Sequence, residues 1–273
     1  MNFERFKGRT LVVKYGGNAM IEPVLKRSFA SDIVTLTSNG IRVVVVHGGG
    51  PQINEMLARL SIKSAFAGGF RVTDEETMAV VQSVLGGVVQ PEIVGLINQS
   101  GGNSVGLSGI DAQLLQSERR DVLVEGVPTD IGLVGEVIAV NGGILHTLLD
   151  ANYIPVVSSF ASNSSGQVLN INADTAAGAI AGSLAAEALV VLTDVAGLYR
   201  DWPNQDSIIR ELGSLELREL LPSLESGMVP KMEACLRALE LGISQALIVD
   251  GRIPHGLLAA LDKDGAYGTR ILP

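Results

Sequence analysis

The chain has one cysteine, Cys235, and only three histidines, which are scattered. No internal disulfide can form and no zinc-ligand spacing exists, which points to a reducing compartment. Charge is also scarce, at 18% of residues, where an average soluble domain carries about 25%. Cations are the minority, with 20 Lys and Arg against 29 Asp and Glu and a net charge of -9. That balance disfavours nucleic acid and anionic lipid as partners. The opening MNFERFKGRT holds no apolar signal core, and the longest weakly polar run, Thr175 to Ala186, is too short to span a bilayer. The expectation is a soluble, cytoplasmic protein. The nucleotide fingerprints GxxxxGK(S/T) and GxGxxG are absent as well, which argues against a P-loop enzyme and a typical Rossmann dehydrogenase.

What the sequence has in abundance is apolar residues, at 47%, and glycine, with 32 where average usage gives about 19. A chain of 273 residues buries on the order of three quarters of its unfolded surface, so it needs no staple to fold. Short continuous apolar runs predict strands buried on both faces at 11–15, 43–46, 104–107, 154–157, 188–192 and 246–249. Helical patterns separate them at 23–38, 51–60, 74–85, 91–99, 143–151, 174–186 and 228–241. Strand alternating with helix predicts an α/β fold, a three-layer αβα sandwich around a mostly parallel open sheet. The segment 122–140 breaks the rhythm and reads as a projecting β-hairpin. In open sheets of this kind ligands gather at the carboxyl ends of the strands.

Several of those ends carry chemistry. Lys14 closes the first strand and is followed by Gly16 and Gly17, a loop through which backbone N–H groups can approach a polyphosphate; a solvated lysine beside an ordinary turn is the plain alternative. The second strand runs into His47-Gly48-Gly49-Gly50-Pro51 at a helix start, where three glycines exceed what a tight turn needs and present N–H groups at the positive end of the dipole. His47, between an apolar strand and glycines, reads as a structural side chain at least as readily as a base. Arg71 precedes a helix capped by Thr73 or Asp74; it either clamps a carboxylate or pairs at the surface with Glu75 or Glu76, and the local sequence does not decide.

Asn170-Ile171-Asn172-Ala173-Asp174 opens a helix with no polar face. Asp174 as a mere N-cap would leave both asparagines without a role, so a hydrogen-bonding cluster is the better reading. Lys231 falls in the first turn of the last long helix, where the dipole disfavours a cation; an anionic ligand there would resolve the conflict.

Together with Thr193-Asp194-Val195 and Gly227, these motifs resemble the amino acid kinase family in order and rough spacing, from about Thr10 to Leu272. Within it they are similar to the branch that phosphorylates the side-chain carboxylate of N-acetyl-L-glutamate from ATP carried with Mg2+, the second step of arginine biosynthesis. The resemblance implies one amino acid kinase domain over 1–273, with a lobe of about 1–170 for acetylglutamate and one of about 171–273 for ATP. It implies that Lys14 and Lys231 contact the phosphates, that Asp174 orients both, and that Gly49, Gly50, Arg71 and Asn170 hold the acetylglutamate. Gly16, Gly17, Asp194, Val195, Gly197, Leu198, Tyr199 and Gly227 fall to the nucleotide, and no residue is implied as a protein ligand to metal. A homodimer is implied, since fewer residues precede Thr10 than the additional N-terminal helix of ring-forming relatives needs.

One departure stands out: Gln90-Pro91-Glu92 replaces the family's usual Asn-Lys-Glu, and Pro91 must end or restart its helix. Two rivals remain. A related kinase acts on aminoadipate or glutamate attached to an acidic carrier protein, which a chain of net charge -9 is poorly suited to dock. A non-catalytic amino acid or nucleotide sensor on the same fold has no use for both Lys14 and Lys231.

Overall fold

The computed structural model describes residues 1–124, 126–225, 227–262 and 267–273. Eight strands form the main sheet, in the spatial order Glu211–Gly213, Thr269–Leu272, Gln245–Asp250, Ala188–Thr193, Thr10–Tyr15, Arg42–His47, Ile154–Ser158, Ser104–Ser108. All neighbouring pairs are parallel except Gln245–Asp250 with Thr269–Leu272. The six predicted strands are all present, and helices cover both faces of the sheet, as a βα alternation of apolar runs requires.

Alternation along the strands decides which residues face which layer. Leu11, Val13 and Tyr15 join the core under the helices Pro23–Ser38 and Glu75–Gln99, whereas Val12, Val44 and Val46 join the opposite core. That second core is built against the helices Gly143–Asp150, Ala173–Ser183 and Val229–Glu240. Lys14, in step with Val12, therefore belongs to the face that carries the last two helices.

Pro91 restarts its helix rather than ending it. The helices Glu75–Val84 and Gln90–Gln99 are joined by a π-helical turn over Leu85–Val89, in which Gln90 donates its N–H to the Leu85 carbonyl. Proline lacks an N–H and its ring excludes the carbonyl four residues back; the wider turn absorbs both demands. The result, Glu75–Gln99, is a single helix of 25 residues, long and apolar enough to cross a bilayer by length and composition. This corrects the sequence reading, which took Thr175–Ala186 for the longest such run by treating Pro91 as a break. Met78, Val81, Leu85, Ile93 and Ile97 of this helix are buried in the first core.

The hairpin expected over 122–140 is larger than read. Its tip pairs Val122–Val124 with Val127–Thr129 across Gly126, Glu125 lying outside the described residues. Its base pairs Leu115–Arg119 with Val134–Val140, and Phe160–Ser162 and Val168–Ile171 close this base into a four-stranded barrel. A small third core of Phe70, Val122, Ile131 and Val134 seats the hairpin beside Arg71.

Candidate active site

Two helices set the centre of the site. In the helix Ala173–Ser183, Asn172 rather than Asp174 is the cap: its side-chain oxygen accepts the N–H groups of Asp174 and Thr175 at 2.8 and 3.1 Å. Asp174 is thereby freed to project from the first turn. The helix Val229–Glu240 packs so closely alongside that a Cβ on Gly178 would stand 2.7 Å from the Ala234 carbonyl oxygen. This approach brings Lys231 Nζ to 3.0 Å from Asp174 Oδ2, while Lys14 Nζ lies 3.0 Å from Asp174 Oδ1. Three residues far apart in sequence thus share one buried point, and the anion that relieves Lys231 of its unfavourable dipole position belongs to the protein.

The one carboxylate pairs with both ammonium groups, although only Oδ2 accepts a hydrogen bond, from Lys231. Burial alone would raise the Asp174 carboxyl, but Lys14 and Lys231 together hold it below the usual range. Burial pushes the Lys14 ammonium down, and its attraction to Asp174 is partly cancelled by repulsion from Lys231. Two ammonium groups thus outnumber the one carboxylate they share, an excess that the attraction of Asp194 for Lys14 reduces. Cys235, completely buried nearby, has its thiol pushed up by burial and by Asp174 and is inert.

Two clefts are lined by residues close in sequence to this cluster, although none of its three members lines either one. The first, about 170 Å³, is lined by Gly48, Gly49, Gly50, Arg71, Asn170, Asn172 and Ala173 together with the apolar Phe70, Leu85 and Val134. Asn172 and Ala173 immediately precede Asp174. Gly49 is the N-cap of the helix Gly50–Arg59, and a Cβ there would lie 2.7 Å from Leu85 Cδ2, so a larger residue would have to displace the Leu85 side chain. Arg71 is 7% exposed and has no ion pair among the described residues, so pairing with Glu75 or Glu76 does not occur. Its guanidinium bonds the Ser64 hydroxyl and stacks 4.7 Å over the Phe66 ring, its cross-strand neighbour. Asn170 donates to Thr73 Oγ1 at 3.2 Å, and Thr73 Oγ1 donates to the Arg71 carbonyl at 2.8 Å. A buried cation with no carboxylate partner among the described residues, at the wall of a cleft, suits an anion.

The second cleft, about 290 Å³, is lined by Val195, Gly197, Leu198, Tyr199, Trp202, Glu225 and Met228, the last being one turn before Lys231. Tyr199 and Trp202 meet edge to face with centroids 5.1 Å apart, an apolar wall that a planar base could use. Gly227 adjoins Met228 without lining the cleft. Between cleft and lysines, Gly17 has φ +71° and passes so near Asp194 that a Cβ would lie 2.7 Å from its carboxylate oxygens. Gly16 runs equally close to Lys14, where a Cβ would stand 2.9 Å from Nζ. The candidate residues thus fall into a central cluster and two flanking clefts.

Sequence reasoning gave no role to Ser64, Phe66 or Trp202, and placed Asn172 in a hydrogen-bonding cluster without seeing it as the cap. Trp202, the only tryptophan, follows the Asp194–Tyr199 stretch closely enough to have been a signal. Burial lowers the His47 pKa to about 4, so it is neutral at physiological pH and a weak proton acceptor. Among the described residues no group of three or more His, Cys, Asp or Glu is placed to hold a metal ion.

A family profile described as "Amino acid kinase family" matches residues 9–250. Acetylglutamate kinase of Acidothermus cellulolyticus is 54% identical over 272 residues, covering 98% of this chain and 92% of that one. Acetylglutamate kinase of Corynebacterium glutamicum is 51% identical over 270 residues, covering 99% and 92%. Among solved structures, N-acetylglutamate synthase from Neisseria gonorrhoeae, complexed with coenzyme A and N-acetyl-glutamate, superposes with TM-score 0.86 at 26% identity. The chain is 99% covered in that comparison and spans 61% of the synthase's own length. Carbamate kinase from Giardia superposes with TM-score 0.68 at 18% identity, a likeness of fold alone.

Proposed function

The chain belongs to the amino acid kinase family, and on that premise we propose that it transfers the γ-phosphoryl group of ATP to the side-chain carboxylate of N-acetyl-L-glutamate. The product is N-acetylglutamyl 5-phosphate, and the reaction is the second step of arginine biosynthesis. The observation that carries this reading is the convergence of Lys14 and Lys231 on Asp174, with a cleft on either side.

A carboxylate is already ionised and nucleophilic at neutral pH, so the reaction needs no strong base, and a neutral His47 is consistent with that. What the reaction does need is two anions held together and the charge on the transferring phosphoryl group offset. The surplus positive charge of the lysines meets the second need. Asp174 holds both ammonium groups in place until phosphate oxygens arrive. The N–H groups of the Gly48–Gly50 loop and the Arg71 guanidinium address the acetylglutamate, with Arg71 on its α-carboxylate and Asn170 beside it. The apolar Phe70, Leu85 and Val134 suit an acetyl methyl group.

In this reading the N-terminal lobe, about 1–170, binds acetylglutamate and the C-terminal lobe, about 171–273, binds ATP in the Tyr199–Trp202 cleft. Mg2+ enters as the ATP chelate, held by nucleotide oxygens, and supplies further neutralisation of phosphate charge. The protein works in the cytoplasm as a homodimer. The helix Glu75–Gln99 supports that assembly: only 39% of its most apolar stretch is buried, and Val88 on it is exposed.

A coupled ADP-release assay with N-acetyl-L-glutamate, free glutamate, aspartate and aminoadipate tests the reading; turnover confined to free aminoadipate or glutamate overturns it. Arg71→Ala is expected to raise the KM for acetylglutamate on the order of 10²-fold, the worth of a charge-assisted hydrogen bond, and to spare the KM for ATP. The reverse pattern would exchange the two clefts.

A further inference from the structure

The Gly48–Gly49 peptide has an anchor that reaches back to the departure at Gln90. His47 Nδ1 lies 2.9 Å from the Gly48 carbonyl oxygen, which can only accept, so the imidazole carries its proton on Nδ1. Nε2 is then an acceptor, and Ser158 Oγ stands 2.9 Å from it and must donate. The serine oxygen in turn accepts from Gln90 Nε2 at 2.8 Å. Gln90 Nε2 also faces the carbonyls of Leu107 and Val156, which fixes the orientation of its amide. Gly106 makes room for this side chain, since a Cβ there would lie 2.6 Å from Gln90 Oε1. The same helical segment touches the loop a second time through Leu85 and Val89, which pack against Gly49.

In a trans peptide the N–H points opposite to the C=O. Holding the Gly48 oxygen on the His47 side therefore aims the Gly49 N–H away from it. We propose that Gln90 is a positioning residue: through Ser158 and the neutral imidazole of His47 it fixes the Gly48–Gly49 peptide and so the direction of the Gly49 N–H offered to acetylglutamate. The π-helical turn before Pro91 sets Gln90 where its amide can reach two neighbouring strands, at Leu107 and Val156, and Ser158 together. This inference rests on the acetylglutamate reading for its kinetic consequence, although the relay itself does not.

The test uses the full chain and the variants Gln90→Leu, Ser158→Ala and their combination. Each single variant is expected to lower kcat/KM for acetylglutamate about tenfold or more, as a misplaced donor does, with the KM for ATP unchanged. The double variant is expected to be no worse than the poorer single one, because both break the same chain. Imidazole 15N spectra, simple with three histidines, should show the His47 Nε2 resonance moving in Gln90→Leu as well as in Ser158→Ala. Additive losses, equal shifts in both KM values, or an Nε2 resonance untouched by Gln90→Leu would overturn the proposal. Should the unaltered chain fail to turn over acetylglutamate, the functional reading falls, and the 15N spectra still decide the relay.

Discussion

Lys14→Met is expected to lower kcat on the order of 10³-fold, by removing a positive charge aimed at the transferring phosphoryl group. The loss should appear in kcat more than in either KM, because charge on the phosphoryl oxygens grows toward the transition state. The same substitution should leave the melting temperature unchanged or raise it. Lys14 is buried, its ammonium is disfavoured by burial, and Lys231 repels it; methionine keeps the volume and leaves Asp174 in a neutral pair with Lys231. Steady-state kinetics and a thermal melt on the same preparation check both halves. An inactive variant that also melts far lower would mean that Lys14 holds the fold together, whereas full activity would remove it from the chemistry. Lys231→Ala should show the same kinetic pattern.

Asp174→Asn is expected to do the opposite to stability. It leaves two ammonium groups facing each other around a neutral amide, which costs about 3–5 kcal/mol and, for a domain of this size, lowers the melting temperature by roughly 10 °C. Turnover falls as well, since neither lysine is then held. Added MgATP should restore more of the melting temperature in this variant than in the unaltered protein, because nucleotide phosphates replace the missing negative charge. An equal shift in both proteins would separate Asp174 from the phosphate site. In the unaltered protein the lowered carboxyl contributes stability that is complete above its unfolded value, near pH 4, and is lost as pH falls through the lower folded value. Acid titration of Asp174→Asn should lack that component.

Most of this site was legible from residues standing against local preference. Lys231 in a first turn and three glycines before Pro51 conflict with what a plain helix or turn requires; the structure pairs the first with Asp174 and sets the glycines along a cleft. Five of the six predicted strands were equally plain, because burial on both faces leaves a continuous pattern; the sixth, Ser104–Ser108, lies at the sheet edge and is half-buried past its first residue. The strands Leu115–Arg119, Phe160–Ser162 and Val168–Ile171 were not, being short and mixed in polarity; their partners, distant in sequence, define them. Gln90 was the instructive miss. Beside Pro91 it read as a matter of local packing, and only the wide turn of the backbone shows where its amide goes. Asn172, in turn, took the capping role that Asp174 might have filled, and two adjacent small polar residues cannot be told apart by propensity.

The contact between Gly178 and the Ala234 carbonyl has a consequence for anyone wishing to toughen this protein. Glycine inside a helix is an obvious candidate for exchange to alanine, worth about 1 kcal/mol in an isolated helix. Here the absent methyl is a spacer of zero thickness that sets how far Lys231 stands from Asp174. Filling it would wedge the two helices apart, so a routine stabilising change at a position that bears no functional group would detune the reaction from a distance.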